Sequence, residues 1–529
     1  MFLNYCVLFY FLMSVAAWFE GVVNNLSFRD KLALVLALCV FLFLVYFNQN
    51  TGVWWDGASF IQVAQKFLGQ SFCVPADNRL PGFPLLMLPV IAFFSVNFTL
   101  LHLEVFVFAF LSLIATYLLG RQLYDDRLGL AAEFLVGFSW LFFFYSERIL
   151  AHVPGLFFST LGLYLLLSGW DKSLKRVFLG GLMLGVYLTI RIDSLFLLLP
   201  VALFFLIEKR ERLFVELQSY YSVAGFLVPV ILFMIWQFAV FGSPIAMISN
   251  NLLINGNSNV GLLSGLTHSF SWDYFTFSML SHSFGLFVLV FLVLGLVYLF
   301  YKHDRSARFL LLVFVLFLFL LSLSPQKEDR FLIPLLPIVM VITAVFALKV
   351  AEFLKSLLSL GFDVNFVFVP IVFVLAVQSM FYGFPIFQSK VTTYTVPVQM
   401  SSVIGSNLNN ATIVAPFADS APDPQLCLFA SDENYVNYPS TLAGLEAMPL
   451  NTYVYYSFPY DGNVNYLSIQ QFFVQNNLGQ TVLDNAACRD FLNSTGLQVV
   501  SVLVENQTSA VSILYRKVEP GSVTSFGVC

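Results

Sequence analysis

Long, almost uncharged apolar runs that alternate with short basic connections constrain this chain more than any other feature. Runs over 31–48, 99–120, 128–146, 151–168, 176–190, 194–208, 221–241, 283–301, 309–324, 331–349 and 364–383 are each roughly 15–22 residues long, and a bilayer core needs about 20 residues of helix. One soluble core cannot hold eleven such runs, and the composition agrees. Of 529 residues, 59% are hydrophobic and 10% charged, against about 45–50% and about 25% in soluble domains. A soluble enzyme, a disordered chain and a small disulfide-stapled domain are excluded. The net charge of −5 gives no footprint for nucleic acid. Six cysteines without a metal-type CxxC pair give no zinc framework. The expected fold class is mainly α: a polytopic helical membrane protein with about eleven spans.

The basic residues orient the spans. Alternate connections carry Arg29/Lys31, Arg121/Arg127, Lys172/Lys175/Arg176, Lys209/Arg210/Arg212, Lys302/Arg305/Arg308 and Lys349/Lys355, which is 15 of the 25 basic residues. The positive-inside rule puts that face in the cytoplasm of a cell-membrane protein. The outer face then holds 48–98, 147–150, 191–193, 242–282, 325–330 and everything after about 384. Residues 81–94 (PGFPLLMLPVIAFF) are too short and Pro-rich to span, and counting them would break the charge alternation. They read as a re-entrant or juxtamembrane helix on the outer side. The apolar 2–23 segment reads as an extra span or interfacial helix; no basic stretch precedes it, which argues against a signal peptide.

Three parts follow: an N-terminal apolar segment (1–30), a transmembrane domain (31–384) with the large outer loop 48–98, and an extracytoplasmic α/β domain (385–529). The last is rich in Asn, Ser, Thr and Tyr, with strand-like runs at 411–416, 452–458, 497–505 and 510–518 and helix-like stretches near 465–477 and 484–493. Sequons at Asn410, Asn493 and Asn506, with Asn97 on the same face, suit an outside location; Asn25 falls on the inner side. Cys427 and Cys488 are available to pair in an oxidising compartment. No short repeat, coiled-coil heptad or inverted repeat stands out.

Ionisable residues at span edges are expensive and so are functional candidates. Here they gather at the outer helix ends: Asp56 in NTGVWWDGASF, Glu147, Arg148 and His152 in SERILAHVPG, Arg191 and Asp193 in LTIRIDSL, and Lys327, Glu328, Asp329 and Arg330 in SPQKEDRFLIP. A carboxylate serves as general base for an acceptor hydroxyl or amide, and cations hold a phosphate leaving group. Asp56 is the best base, opening an amphipathic stretch that suits an interfacial helix over 56–69. Arg191 and Arg330 are the best phosphate ligands, because guanidinium offers a rigid fork. Each has a purely structural alternative. Asp56 suits a helix N-cap. Arg191–Asp193 and Arg148–Glu147 suit ion pairs that anchor helix ends. Arg330 suits a snorkelling anchor, and His152 a satisfied interface histidine. His102, His268 and His282 read as loop or packing residues. The 242–282 loop, with Asn250, Asn251 and Asp273, reads equally as a lid or a connector.

In order along the chain come the acid after the first span, the RLPGFPLLMLP segment (79–89), HVPGLFF (152–158), RIDSLFLLLP (191–200), FGSP (241–244) and EDRFLIPLLP (328–337). This order resembles the GT-C superfamily of membrane glycosyltransferases, in the branch of the dolichyl-phosphate-mannose protein mannosyltransferases and aminoarabinose transferases. The similarity covers about 30–350; residues 385–529 match nothing in it. It implies a GT-C-like transmembrane domain and inverting transfer of a hexose or pentose. The donor would be a polyprenyl-phosphate sugar, and the acceptor a glycan, lipid or protein on the outer face. It maps the base onto Asp56 and the phosphate ligands onto Arg191 and Arg330, with Arg79 and Lys327 behind them. His152 stands where many relatives carry an acid, with Glu147 nearby. These two mark the acceptor or metal site and leave a divalent metal open. Two rival functions remain: a lipid-linked sugar flippase, which needs polar residues right across the membrane, and a binding protein whose 385–529 domain does the work.

Overall fold

The computed structural model describes residues 27–47, 53–70, 79–210, 215–246, 273–323, 328–359 and 361–391, and much of 395–458 and 492–524. The chain divides into two compact units. One comprises 1–47, 105–146 and 151–383; the other comprises 48–104, 147–150 and 384–529.

The first unit is helical. Each of the eleven apolar runs forms helix, over Phe28–Phe47, Phe98–Leu123, Asp126–Gly137 with Trp140–Ser146, His152–Gly169, Leu174–Ile190, Leu195–Lys209, Leu217–Phe241, Leu286–Lys302, Arg305–Ser322, Leu336–Leu357 and Asn365–Val391. Among the described residues, six helices are long and apolar enough to cross a membrane, or up to eight if each bent pair is one span. That is fewer than about eleven, for local reasons. Leu174–Ile190 has 17 residues and Leu195–Lys209 has 15, short of the bilayer core. Phe28–Phe47 spends its first turn on Arg29, Asp30 and Lys31. The 128–146 run bends by 60° between Asp126–Gly137 and Trp140–Ser146, and the 283–301 run by 112° before Leu286. At the second bend Gly285 has φ +88°, a conformation open to glycine. The Gln378 side chain accepts from the Phe287 N–H at 3.2 Å, satisfying one orphan donor of the new helix.

Helices Leu174–Ile190 and Leu217–Phe241 pack backbone to backbone. A Cβ on Gly181 would strike the Ser222 carbonyl, and one on Gly225 the Phe178 carbonyl. Small residues allow this approach where lipid offers no hydrophobic drive to association. On the helix ends that carry the basic residues, Arg121 pairs with Asp30 and Lys209 with Asp171 at 2.5 and 2.6 Å.

The second unit holds a five-stranded mixed sheet. Its strands are β1 (Thr412–Ala415), β4 (Asn434–Asn437), β5 (Tyr453–Phe458), β6 (Leu497–Glu505) and β7 (Ala510–Lys517), in the order β4-β1-β5-β7-β6; β2 (Phe417–Ala418) and β3 (Ala421–Pro422) form a separate ribbon. β1 runs parallel to β4 and β5, while β7 runs antiparallel to β5 and β6. Four of the strands are those read from the sequence; β4, with its polar NYVN, is additional. The 465–477 stretch and most of 484–493 lie outside the described residues. Helix Thr395–Asn407 packs Met400 and Ile404 onto Ile413, Tyr455 and Leu514 to form the core. Cys427 is buried and disulfide-bonded; Cys488 lies outside the described residues.

This unit also holds helices Trp55–Phe67 and Gly82–Phe94. Gly82–Phe94 is a 13-residue apolar helix with Pro89 inside it, below spanning length. The first reads from its apolar spacing as a helix lying in the interface with a polar face. Instead Ala58 through Ala64 are all buried, both faces of the helix being covered. Phe60 meets Phe83 edge to face at 5.1 Å. Gln425, in helix Pro424–Phe429, donates to the Val53 carbonyl at 2.7 Å.

Candidate active site

In the second unit Asp56 stands in the first turn of helix Trp55–Phe67 and pairs with Arg79. It is not a helix cap: the N-cap is Trp54, with no side-chain cap bond. Both partners keep about a quarter of their side-chain surface, 25% for Asp56 and 27% for Arg79. The Arg79 guanidinium also rests 5.6 Å from the Phe60 ring centroid. Asp56 is therefore paired with a cation and still partly open to solvent.

The 147–150 segment crosses the start of the same helix. A Cβ on Gly57 would come within 2.9 Å of the Ile149 carbonyl oxygen, so the chain passes here only over glycine. Arg148 is buried with its guanidinium 4.6 Å from the Trp54 ring centroid. Glu147 is buried beside it. Burial pushes its carboxyl up to about 8, against the opposing pull of Arg148.

In the first unit, Arg191 ends helix Leu174–Ile190 and grips Asp193 in a two-pronged ion pair, Nε to Oδ1 at 2.8 Å and Nη2 to Oδ2 at 2.7 Å. The pair is nearly dry, with 9% and 4% of side-chain surface left. Arg330 pairs with Glu328: Nη2 donates to Oε1 at 2.9 Å, and Nε stands 2.6 Å from Oε2. The two guanidiniums share one ring: Arg191 lies 5.9 Å and Arg330 5.4 Å from the Phe331 centroid. Gly155 makes room for this, because a Cβ there would press on Arg191 Cδ at 3.0 Å and on the Tyr187 ring at 3.1 Å.

His152 opens helix His152–Gly169, its ring 5.2 Å from that of Tyr145. It lies within electrostatic reach of Arg191 and Arg330, and both its ring nitrogens are buried without a hydrogen-bond partner among the described residues.

Sequence reading passed over one set of contacts. The Tyr145 hydroxyl donates to Asp329 Oδ1 at 2.9 Å, and His282 Nδ1 stands 3.9 Å from Asp329 Oδ2. Trp140 Nε1 donates to the His282 carbonyl at 3.0 Å. His282 was read as loop or packing; it reaches the acid that precedes Arg330. Only the EDR cluster hinted at this, since Tyr145 and Asp329 lie 184 residues apart.

The structure thus joins Asp56 to Arg79, with Glu147 beside the same helix start, in one unit. It joins Arg191, Arg330 and His152 around Phe331 and Tyr145 in the other. Lys327 lies outside the described residues, as do His268, Asn250 and Asn251. No three His, Cys, Asp or Glu side chains among the described residues are grouped to hold a metal ion. His152 faces arginines and a tyrosine, a set that does not fit a metal centre.

These features, charged side chains at helix ends in a multi-helix apolar body, describe a multi-pass integral membrane enzyme. The chain belongs to the Alg9-like mannosyltransferase family, which it matches over residues 34–416. It is a glycosyltransferase of the GT-C kind. Its fold is similar to that of ArnT from Cupriavidus metallidurans, a structure bound to undecaprenyl phosphate: TM-score 0.60, 11% identity, covering 92% of this chain and 97% of that one. It is similar also to the oligosaccharyltransferase AglB from Archaeoglobus fulgidus, in complex with an inhibitory peptide and a dolichol-phosphate: TM-score 0.55, 12% identity, covering 78% of this chain and 64% of that one. At these identities the likeness is one of fold. No curated protein sequence matches the chain significantly.

Proposed function

We propose that this protein is an inverting glycosyltransferase that moves a sugar from a polyprenyl-phosphate donor to an acceptor on the outer face of the membrane. The observation that carries the reading is the pair of guanidiniums, Arg191 and Arg330, both close to the Phe331 ring centroid at 5.9 and 5.4 Å, in a chain of mannosyltransferase family. Arg191 gives Nε and Nη2 to Asp193, and a guanidinium carries five N–H donors in a planar fork that suits a phosphate. Fold likeness to proteins solved with undecaprenyl phosphate and dolichol-phosphate supports the same donor chemistry here.

The residues divide the work. The Asp56 carboxylate accepts the proton of the acceptor hydroxyl as its oxygen attacks the anomeric carbon. The bond from that carbon to the phosphate oxygen breaks, and polyprenyl phosphate leaves with the electron pair. Arg191 and Arg330 neutralise the charge that collects on it. Arg79, paired with Asp56, aims its carboxyl group. His152 and Glu147 border the acceptor. The 385–529 region, with its sequons at Asn410, Asn493 and Asn506, stands outside the cytoplasm.

The test uses purified protein in lipid with radiolabelled polyprenyl-phosphate mannose and a membrane extract of acceptors. Label should pass to an acceptor, and the product should carry the opposite anomeric configuration by NMR. A product with the donor's configuration, or no transfer from any polyprenyl-phosphate sugar by folded protein, contradicts the reading.

A further inference from the structure

At the helix ends that carry the basic residues, the first unit contains a cavity of about 210 Å³ lined by Tyr124, Asp125, Tyr298, Lys302, Lys349 and three apolar residues. Its apolar lining is Leu128, Val345 and Leu348. Its polar lining is two lysines, two tyrosines and Asp125. Lys302 Nζ lies 4.6 Å from the Tyr124 ring centroid and Lys349 Nζ 6.0 Å from that of Tyr298. Each ammonium has one carboxylate on the outside, Asp304 and Glu352, both at 2.6 Å. An ammonium has three donors, so donors remain for a ligand. The Tyr124 hydroxyl is buried and has no hydrogen-bond partner among the described residues. The acid in the lining is committed elsewhere: Asp125 accepts from the Leu128 N–H at 3.0 Å as a helix cap and from Arg127 at 3.2 Å.

Apolar side chains lining one cavity with two ammoniums and a spare phenol match an amphiphile with an anionic head. We infer that this cavity binds the phosphate headgroup of an anionic phospholipid from the leaflet on the basic face. Lys302 and Lys349 hold the phosphate oxygens, the Tyr124 hydroxyl donates to one of them, and the glycerol carbons lie over Leu128 and Val345. The setting fits, since basic pockets between spans face the leaflet that concentrates acidic lipids. This cavity serves as a lipid anchor for the segments 124–128, 298–302 and 345–349, and it is built from residues that the transfer chemistry does not use.

The test is native mass spectrometry of the full-length protein released from mixed phosphatidylglycerol and phosphatidylcholine. One phosphatidylglycerol should be retained in preference to phosphatidylcholine. Lys302→Gln with Lys349→Gln should lower its retention about thirtyfold, and either change alone about fivefold. Lys355→Gln, on the same helix as Lys349 but outside the cavity, should leave retention unchanged. If the double variant fails to fold, Lys349→Gln and Tyr124→Phe carry the test, each with reduced retention. Equal retention of phosphatidylcholine, or equal loss from Lys355→Gln, overturns the proposal. So does displacement of the lipid by inorganic phosphate at matched concentration, which would assign the site to free phosphate.

Discussion

Two sets of ion pairs in the helical unit differ in one physical respect. Arg308–Glu208 and Lys209–Asp171 are wet: Arg308 keeps 49% of its side-chain surface and Asp171 keeps 55%. Arg191–Asp193 is dry, at 9% and 4%. Wet pairs contribute from nothing to about 1 kcal/mol and are interchangeable. A dry pair faces a desolvation cost that its own attraction offsets only with good geometry, so it is weak evidence for stability alone. Both sets satisfy the same distance criterion. Only the dry one, with Arg330 sharing its Phe331 ring, needs a reason to exist, and the proposed phosphate contact would supply one.

The comparison breaks most easily at Arg191. Arg191→Ala should cost about 3–5 kcal/mol in thermal unfolding, because Asp193 is left buried and unpaired, and should abolish transfer. Arg191→Met with Asp193→Leu should recover most of the stability and none of the activity. Recovery of both would remove Arg191 from phosphate binding.

Gly155→Val presses on the same arginine without touching its charge. The branched side chain should cost about 1–3 kcal/mol by overpacking and should raise the KM for donor more than it lowers kcat. An unchanged KM would show that Arg191 is not the donor's contact.

Glu147 gives a pH signature. Its folded pKa of about 8 lies above the ordinary 4.5, so the folded state holds a proton that the unfolded state releases. That contribution is whole below pH 4.5 and is lost as pH rises through about 8. Wild-type stability should fall across that window, and Glu147→Gln should flatten the slope. Parallel slopes for the two proteins would contradict the burial of Glu147.

The smallest effects belong to the wet pairs. Arg308→Ala and Lys209→Ala should each change stability by less than about 1 kcal/mol, and by still less at high salt. Losses comparable to that at Arg191 would erase the distinction drawn here.

The same contrast explains what the sequence made legible. Apolar length and basic alternation are local signals, so the helices, four strands and the RID and EDR motifs could be read directly. Bends are less local: the 112° turn before Leu286 depends on Gly285 and on Gln378, 93 positions away in the chain, and turned one apolar run into two helices. Helix Trp55–Phe67 looked amphipathic, yet its polar Ser59 and Gln62 are buried. Periodicity reports one apolar face and cannot show that the other is covered too. The contacts among Tyr145, Asp329 and His282 exist only after folding. Asp56, by contrast, is visible as an acid after the first span, while its pairing with Arg79, 23 positions on, is made only by the fold.

The central claim is that Asp56 is the general base. The most direct measurement is the transfer rate of Asp56→Asn in lipid, with folding checked by thermal unfolding. Asparagine keeps the shape and can still accept from Arg79, but it cannot take the proton. The account predicts a loss of about a hundred- to ten-thousand-fold with folding intact. A folded Asp56→Asn protein that transfers sugar at the wild-type rate would contradict it.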